Sequence, residues 1–65
     1  MTINTRQYEL AHGKRPKGWG WWSFDVRMID GATRWYDYTG TLSNALKSLR
    51  ALSMAANAVE AVVLP

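Results

Sequence analysis

The sequence predicts a two-layer α+β domain: an antiparallel sheet of three to four strands with one helix packed on one face, in the order β-β-β-α-β. Three observations predict it. Trp19 to Met28 alternates apolar and polar residues with a period of two, and Leu42 to Ala56 repeats apolar residues at helical spacing. Segments bearing glycine or proline separate these stretches from their neighbours.

The first element is read as a strand over Thr5 to Ala11, with Tyr8 and Leu10 on one side and Arg6 among the polar residues. It stops at His12-Gly13-Lys14-Arg15-Pro16-Lys17-Gly18, because glycines and a proline so close together end a strand and mark a loop. In the second strand, Trp19 to Met28, the residues Trp22, Phe24, Val26 and Met28 form an apolar face, while Trp21, Ser23, Asp25 and Arg27 form the other. Asp30-Gly31 supplies the hairpin turn. A strict two-residue turn sets Trp35 and Asp37 beside Val26 and Phe24, whereas a three-residue loop with a bulge sets Tyr36 and Tyr38 there. The second register is preferred, since it buries two tyrosines and leaves Asp37 in water. The third strand, Thr33 to Tyr38, then carries Trp35 on the outer face with Trp21 and Arg27.

Thr39-Gly40-Thr41 breaks that strand, and Thr41 or Ser43 caps the helix that follows. Leu42, Ala45, Leu46, Leu49, Leu52 and Ala56 share one helical face, with Lys47, Ser48, Arg50 and Met54 on the outer side. Asn57 suits the helix C-terminus because Asn tolerates the left-handed conformation. Val59 to Leu64 is short and β-branched and is read as a strand closing the sheet edge, with an extended helix as the alternative. The leucine stripe covers the Trp22–Phe24–Val26 face, leaving the opposite face of the sheet open.

Composition narrows the function classes. The 65 residues make a single domain over 1–65. A chain of this size buries only ~60% of the surface it exposes when unfolded, so its core is thin. It has no cysteine for a disulfide and a single histidine, too few ligands for a zinc site of its own. No cofactor is predicted. No stretch reaches the ~20 apolar residues that span a bilayer, and the opening MTINTRQYEL lacks a basic, then apolar, secretory pattern. Cytoplasmic location without membrane contact is therefore expected. The formal net charge is +3, and all of the excess lies in residues 1–20, where Arg6, Lys14, Arg15 and Lys17 face only Glu9. Such a concentration favours an acidic partner.

The strongest candidate site is the basic loop with its clustered tryptophans. Lys14, Arg15 and Lys17 suit phosphate contacts, and Trp19, Trp21 and Trp35 suit base stacking, the combination that holds single strands without sequence readout. The simpler alternative is that the cations only solubilise a loop while the tryptophans build core; Trp22 is in phase with the core. Trp21 and Trp35 with Arg27 and Arg34 equally have the composition of a protein–protein hot spot, and Arg over Trp can form a cation–π pair. An acidic surface of a partner protein suits the loop as well as nucleic acid does, and a homodimer is another way to cover the open face. His12 is the only side chain suited to general base work near neutrality. No second catalytic group stands at a fixed spacing from it, so no enzyme is predicted. Gly13, Gly18 and Gly20 lack the Gly-Lys-Ser/Thr ending of a phosphate loop, and Asp30-Gly31 lacks the ligand series of a calcium loop.

The run from His12 to Phe24, His-Gly, basic residues around Pro16, then Gly18, Gly20, Trp22 and Phe24, resembles small proteins encoded on bacterial phages and plasmids. Gly40-Thr41-Leu42-Ser43-Asn44-Ala45 looks like their later glycine-hydroxyl-alanine segment. The resemblance covers about two thirds of the chain. It implies a mobile-element origin and a bacterial host cell, and carries no fixed activity. Because some small phage proteins are anti-defence inhibitors, anti-CRISPRs among them, the resemblance raises that possibility without assigning it. Three functional expectations stand together: a nucleic-acid binding module, on the basic loop and its aromatics; an inhibitor of a host nucleic-acid-handling or defence complex; and a structural or oligomeric element of the mobile element.

Overall fold

A computed structural model describes residues 1–65 as an α+β fold. The elements are β1 (Thr2–Asn4), α1 (Arg6–His12), β2 (Trp19–Met28), β3 (Thr33–Thr41), α2 (Leu42–Ala51), a 3-10 turn (Ser53–Asn57) and β4 (Ala58–Val63). They form one four-stranded sheet in the order β1-β4-β2-β3. Both helices pack on the face that carries Trp22, Phe24 and Val26. No helix is long and apolar enough to cross a membrane.

The hairpin adopts the preferred register. Ile29-Asp30-Gly31 is a three-residue loop closed by Gly31 N–H to Met28 O (3.0 Å) and Met28 N–H to Ala32 O (2.8 Å). Gly31 sits at φ 91°, where a side chain would be strained, which is why glycine follows Asp30 in this bulged loop. The Asp30 side chain accepts from Ala32 N–H (2.9 Å) and stiffens the turn. Phe24 therefore pairs with Tyr36 and Trp22 with Tyr38, so the tyrosines face the core and Asp37 faces water.

Thr39-Gly40-Thr41, expected to break the third strand, continues it, with Gly40 opposite Gly20 and Thr41 opposite Trp19. Three further expectations are corrected. The stretch read as a first strand is the helix α1, preceded by the short strand β1. Arg6, Gln7, Glu9, Leu10 and Ala11 are good helix formers. Asn4 Oδ1 accepts from Arg6 N–H (3.0 Å) at the start, and Gly13, at φ 70°, closes the end with its N–H on Glu9 O (2.8 Å). The glycine that seemed to break a strand is a helix cap, and of the supposed strand face only Tyr8 reaches the core while Leu10 is exposed. The order is thus β-α-β-β-α-β, with two helices instead of one.

The second correction concerns the last strand. β4 does form, but it lies at the centre of the sheet, antiparallel to β2 and parallel to β1, so the sheet is mixed. Ala61, Val62 and Val63 are all buried, as a central strand requires. The extra residue Val59 bulges out where the register shifts opposite Arg27 and Met28.

The third lies at the end of α2. Thr41 caps its start by accepting from Asn44 N–H (3.1 Å), as one of the two candidate caps. The helix then stops at Ala51, and a 3-10 turn continues to Asn57, which ends it without a left-handed residue. The change of winding turns Met54 toward the core and leaves Ala56 exposed, reversing the predicted positions. Ser48, expected on the outer side, hydrogen-bonds the Tyr36 hydroxyl instead.

The core is small: Trp22, Phe24, Val26 and Met28 of β2 meet Ala45 and Leu49 of α2 and Ala61 and Val63 of β4. Leu49 is fully buried, so Leu49→Ala should cost about 2–5 kcal/mol through lost transfer energy plus a cavity, read as a lower urea midpoint at unchanged slope. Gly40 has φ 151°, and a Cβ there would lie 2.7 Å from Tyr38 Cε1. Gly40→Ala should cost about 1–3 kcal/mol in the same assay.

The tryptophan face as candidate site

Strand alternation sends β2 residues Trp19, Trp21, Ser23, Asp25 and Arg27 to the face of the sheet that no helix covers. Their partners on β3 are, in order, Thr41, Thr39, Asp37, Trp35 and Thr33. Three tryptophans stand in water there: Trp19 is 74% exposed, Trp21 71% and Trp35 60%. Trp22, the fourth, points the other way, into the core, and donates from Nε1 to Gly40 O (3.2 Å).

The indoles frame a carboxylate. Trp21 Nε1 donates to Asp37 Oδ2 (3.2 Å), and Asp37 stands two residues from Trp35 on the same side of β3. Asp25 pairs directly across from Trp35. On β4, Glu60 faces the same way, accepting from Asn4 Nδ2 (3.1 Å) and lying 3.8 Å from Arg27 Nη1. This exposed ion pair contributes little to stability, but it engages the one cation of the face.

Charge and face are therefore coupled. The open face carries Asp25, Asp37 and Glu60 against Arg27 alone, while Arg6, Lys14, Arg15, Lys17, Arg34, Lys47 and Arg50 lie elsewhere with only Glu9 and Asp30. A basic chain thus presents an acidic, aromatic surface. The alternation that brings Trp21 to this face also brings these carboxylates, Asp37 exposed and Asp25 and Glu60 half-buried, and the expected site of cations and rings did not include them.

The candidate residues separate into three groups. Lys14, Arg15 and Lys17 are exposed on the α1–β2 loop, free of ion pairs, and lead directly into Trp19. Trp21, Arg27 and Trp35 share the open face, as expected. Arg34 does not join them: it pairs with Val26, so it lies on the helix side of the sheet, in a shallow groove with Met28, Met54 and Asn57. The hairpin register that exposes Trp35 necessarily turns its neighbour Arg34 away. His12 stacks on Tyr8, with ring centroids 4.1 Å apart, and its Nε2 lies 3.1 Å from Pro65 O. The second contact ties α1 to the chain that follows β4. No group of three or more His, Cys, Asp or Glu side chains is placed to hold a metal ion.

No protein-family model matches the chain, and neither does any curated protein or solved structure.

Acrylamide should quench the emission of Trp19, Trp21 and Trp35 and spare Trp22. Trp22→Phe should leave the quenchable emission intact, and a variant retaining only Trp22 should emit from a shielded indole. Strong quenching of that last variant would place the core on the wrong face of β2.

Proposed function

We propose that this chain is a non-enzymatic binding module that engages a protein partner through the open tryptophan face. The observation that carries this reading is the exposure of three indoles on one uncovered sheet face. Tryptophan is the residue most enriched at interface hot spots, and its burial against a partner recovers a large apolar area. The three carboxylates among the rings favour a partner with a basic surface and disfavour a nucleic-acid backbone on this face. The resemblance to phage and plasmid proteins suggests a host complex that handles nucleic acid or serves in defence as the partner, with this chain as its inhibitor.

A second reading, nucleic-acid contact, is supported by a different surface. Lys14, Arg15 and Lys17 are exposed without counter-charges, and Trp19 follows them as a ring for stacking. The two surfaces meet at Trp19, so a partner that itself carries nucleic acid is compatible with both.

The two readings separate by mutation. Trp21→Ser with Trp35→Ser should abolish partner capture, with a melting temperature close to that of the parent because neither ring is core. Changing Lys14, Arg15 and Lys17 together to Ala should leave capture largely intact. If the double tryptophan variant binds as well as the parent, the face is not the interface. For the second reading, anisotropy of labelled DNA and RNA at two salt concentrations decides: binding by the three loop cations limits the slope of log K against log salt to about −2.7 on duplex. Absence of binding at low salt rejects nucleic-acid contact.

A further inference from the structure

The outer edge of β3 is the longest run of unpaired backbone in the sheet. Hydrogen bonds from Met28 N–H to Ala32 O and from Leu42 N–H to Gly18 O, both 2.8 Å, fix the phase of the β2–β3 ladder. By the alternation of antiparallel pairs, Arg34, Tyr36, Tyr38 and Gly40 turn their backbone groups toward β2. Thr33, Trp35, Asp37 and Thr39 turn theirs outward, where the sheet order leaves no strand to meet them.

Edge strands are commonly protected by charged side chains, lysine above all, by proline, by a bulge or by short length. β3 has nine residues, no lysine, no proline and an unbroken register with β2; of its two charges Arg34 lies on the helix side, and Asp37, on the open face, disfavours an acidic strand more than a basic one. The opposite edge, β1, is three residues long. The same four outward-bonding residues of β3 place their side chains on the tryptophan face, so backbone and side-chain recognition coincide. Asp37 lies between Trp35 and the Trp21 that bonds it, with Asp25 across from Trp35. Arg27, the only cation of this face, is engaged by Glu60 on β4, on the far side of β2 from this edge.

We propose that β3 takes an extended basic segment of a partner polypeptide as a fifth strand, with its lysine or arginine side chains seated against Asp37 between the indoles of Trp35 and Trp21. This rests on the reading of the tryptophan face as the binding surface and specifies how that surface is used. Main-chain bonds to the edge supply affinity, and side chains on alternate positions supply selectivity. A cation over an indole and beside a carboxylate gains from both. A second copy of the chain is a poorer occupant. Two-fold pairing about Asp37 sets like charges directly opposite, and pairing about Tyr36 sets each Asp37 against Trp35 with no cation facing it.

The test is a titration of the isotopically labelled chain, followed by NMR, with a blocked peptide of alternating threonine and lysine matching β3 in length. A glutamate-for-lysine counterpart and a lysine peptide N-methylated on alternate amides serve as controls. The lysine peptide should shift resonances of Thr33 to Thr41 and the Trp21 indole, and slow exchange of the Trp35, Asp37 and Thr39 amides. N-methylation on the bonding edge, or Asp37→Lys, should each weaken binding about tenfold or more. Equal binding of the glutamate peptide overturns the charge assignment, and equal binding of the methylated peptide overturns strand addition while leaving the tryptophan face as a binding surface. No binding at millimolar peptide overturns the inference outright, as does protection of the edge amides that grows with protein concentration alone, which would assign the edge to a second copy. The double tryptophan variant judges the underlying reading separately.

Discussion

The fold depends on where its last strand goes. β4 enters between β1 and β2 and is the only strand bonded to β1. Through that pairing Asn4 reaches Glu60 across 56 positions of sequence, and α1 is held against the sheet by Tyr8 on Trp22 and by His12 at Pro65 O. Remove β4 and the chain is a hairpin with one helix, whose apolar face would be half covered. Its buried run of Ala61, Val62 and Val63 is matched to this central place. Such long-range pairing carries loop-closure entropy that a purely local fold avoids. It also lets a short chain assemble a sheet wide enough for two helices.

Once both helices share one face, the other face has nothing in the chain to cover it. What stands there is then decided by the parity of β2 and β3. The β2–β3 register puts Trp22, Phe24, Tyr36 and Tyr38 inward and Trp21, Asp25, Trp35 and Asp37 outward. A slip of one residue would turn β3 over and set Trp35 and Asp37 inward in place of Tyr36 and Tyr38, and burying the carboxylate costs far more than burying one indole gains. Asp37 therefore has a structural consequence apart from any partner: it makes the register unambiguous. Arg34 follows the same parity and is carried to the helix side, away from the ring beside it in sequence.

Much of this was legible from residues alone. The alternation over Trp19 to Met28 and the leucine spacing of α2 are strong periodic signals; β2 stands where its alternation indicates, and α2 starts where its spacing indicates but ends at Ala51. The bulged hairpin followed from comparing which residues each register would bury. Short elements were less legible. Arg6 to His12 spans only two helical turns, so Tyr8 and Leu10 looked like a period of two, although Gly13 held the signal for a helix end. The central place of β4 is a matter of topology, which local pattern does not encode. The 3-10 turn after Ala51 is likewise set by the chain having to return to the sheet, and it moves Met54 inward against the helical phase. At the site, the tryptophans were visible as outward-facing, whereas the sign of their surroundings emerged only when Glu60 of β4 joined the same face as Asp25 and Asp37.

The use of tryptophan itself weighs on function. A domain of this size has little apolar area to spend, and Trp22 and Phe24 are the only aromatic residues buried in its core. Yet three of its four tryptophans, each worth more buried area than a leucine, stand in water on one face beside the β3 edge. The stability they do not give to the free chain remains available on association, since the rings already occupy a rigid strand and need little ordering to bind. On the proposed reading, an aromatic and acidic face held on paired strands is organised for contact before any partner arrives.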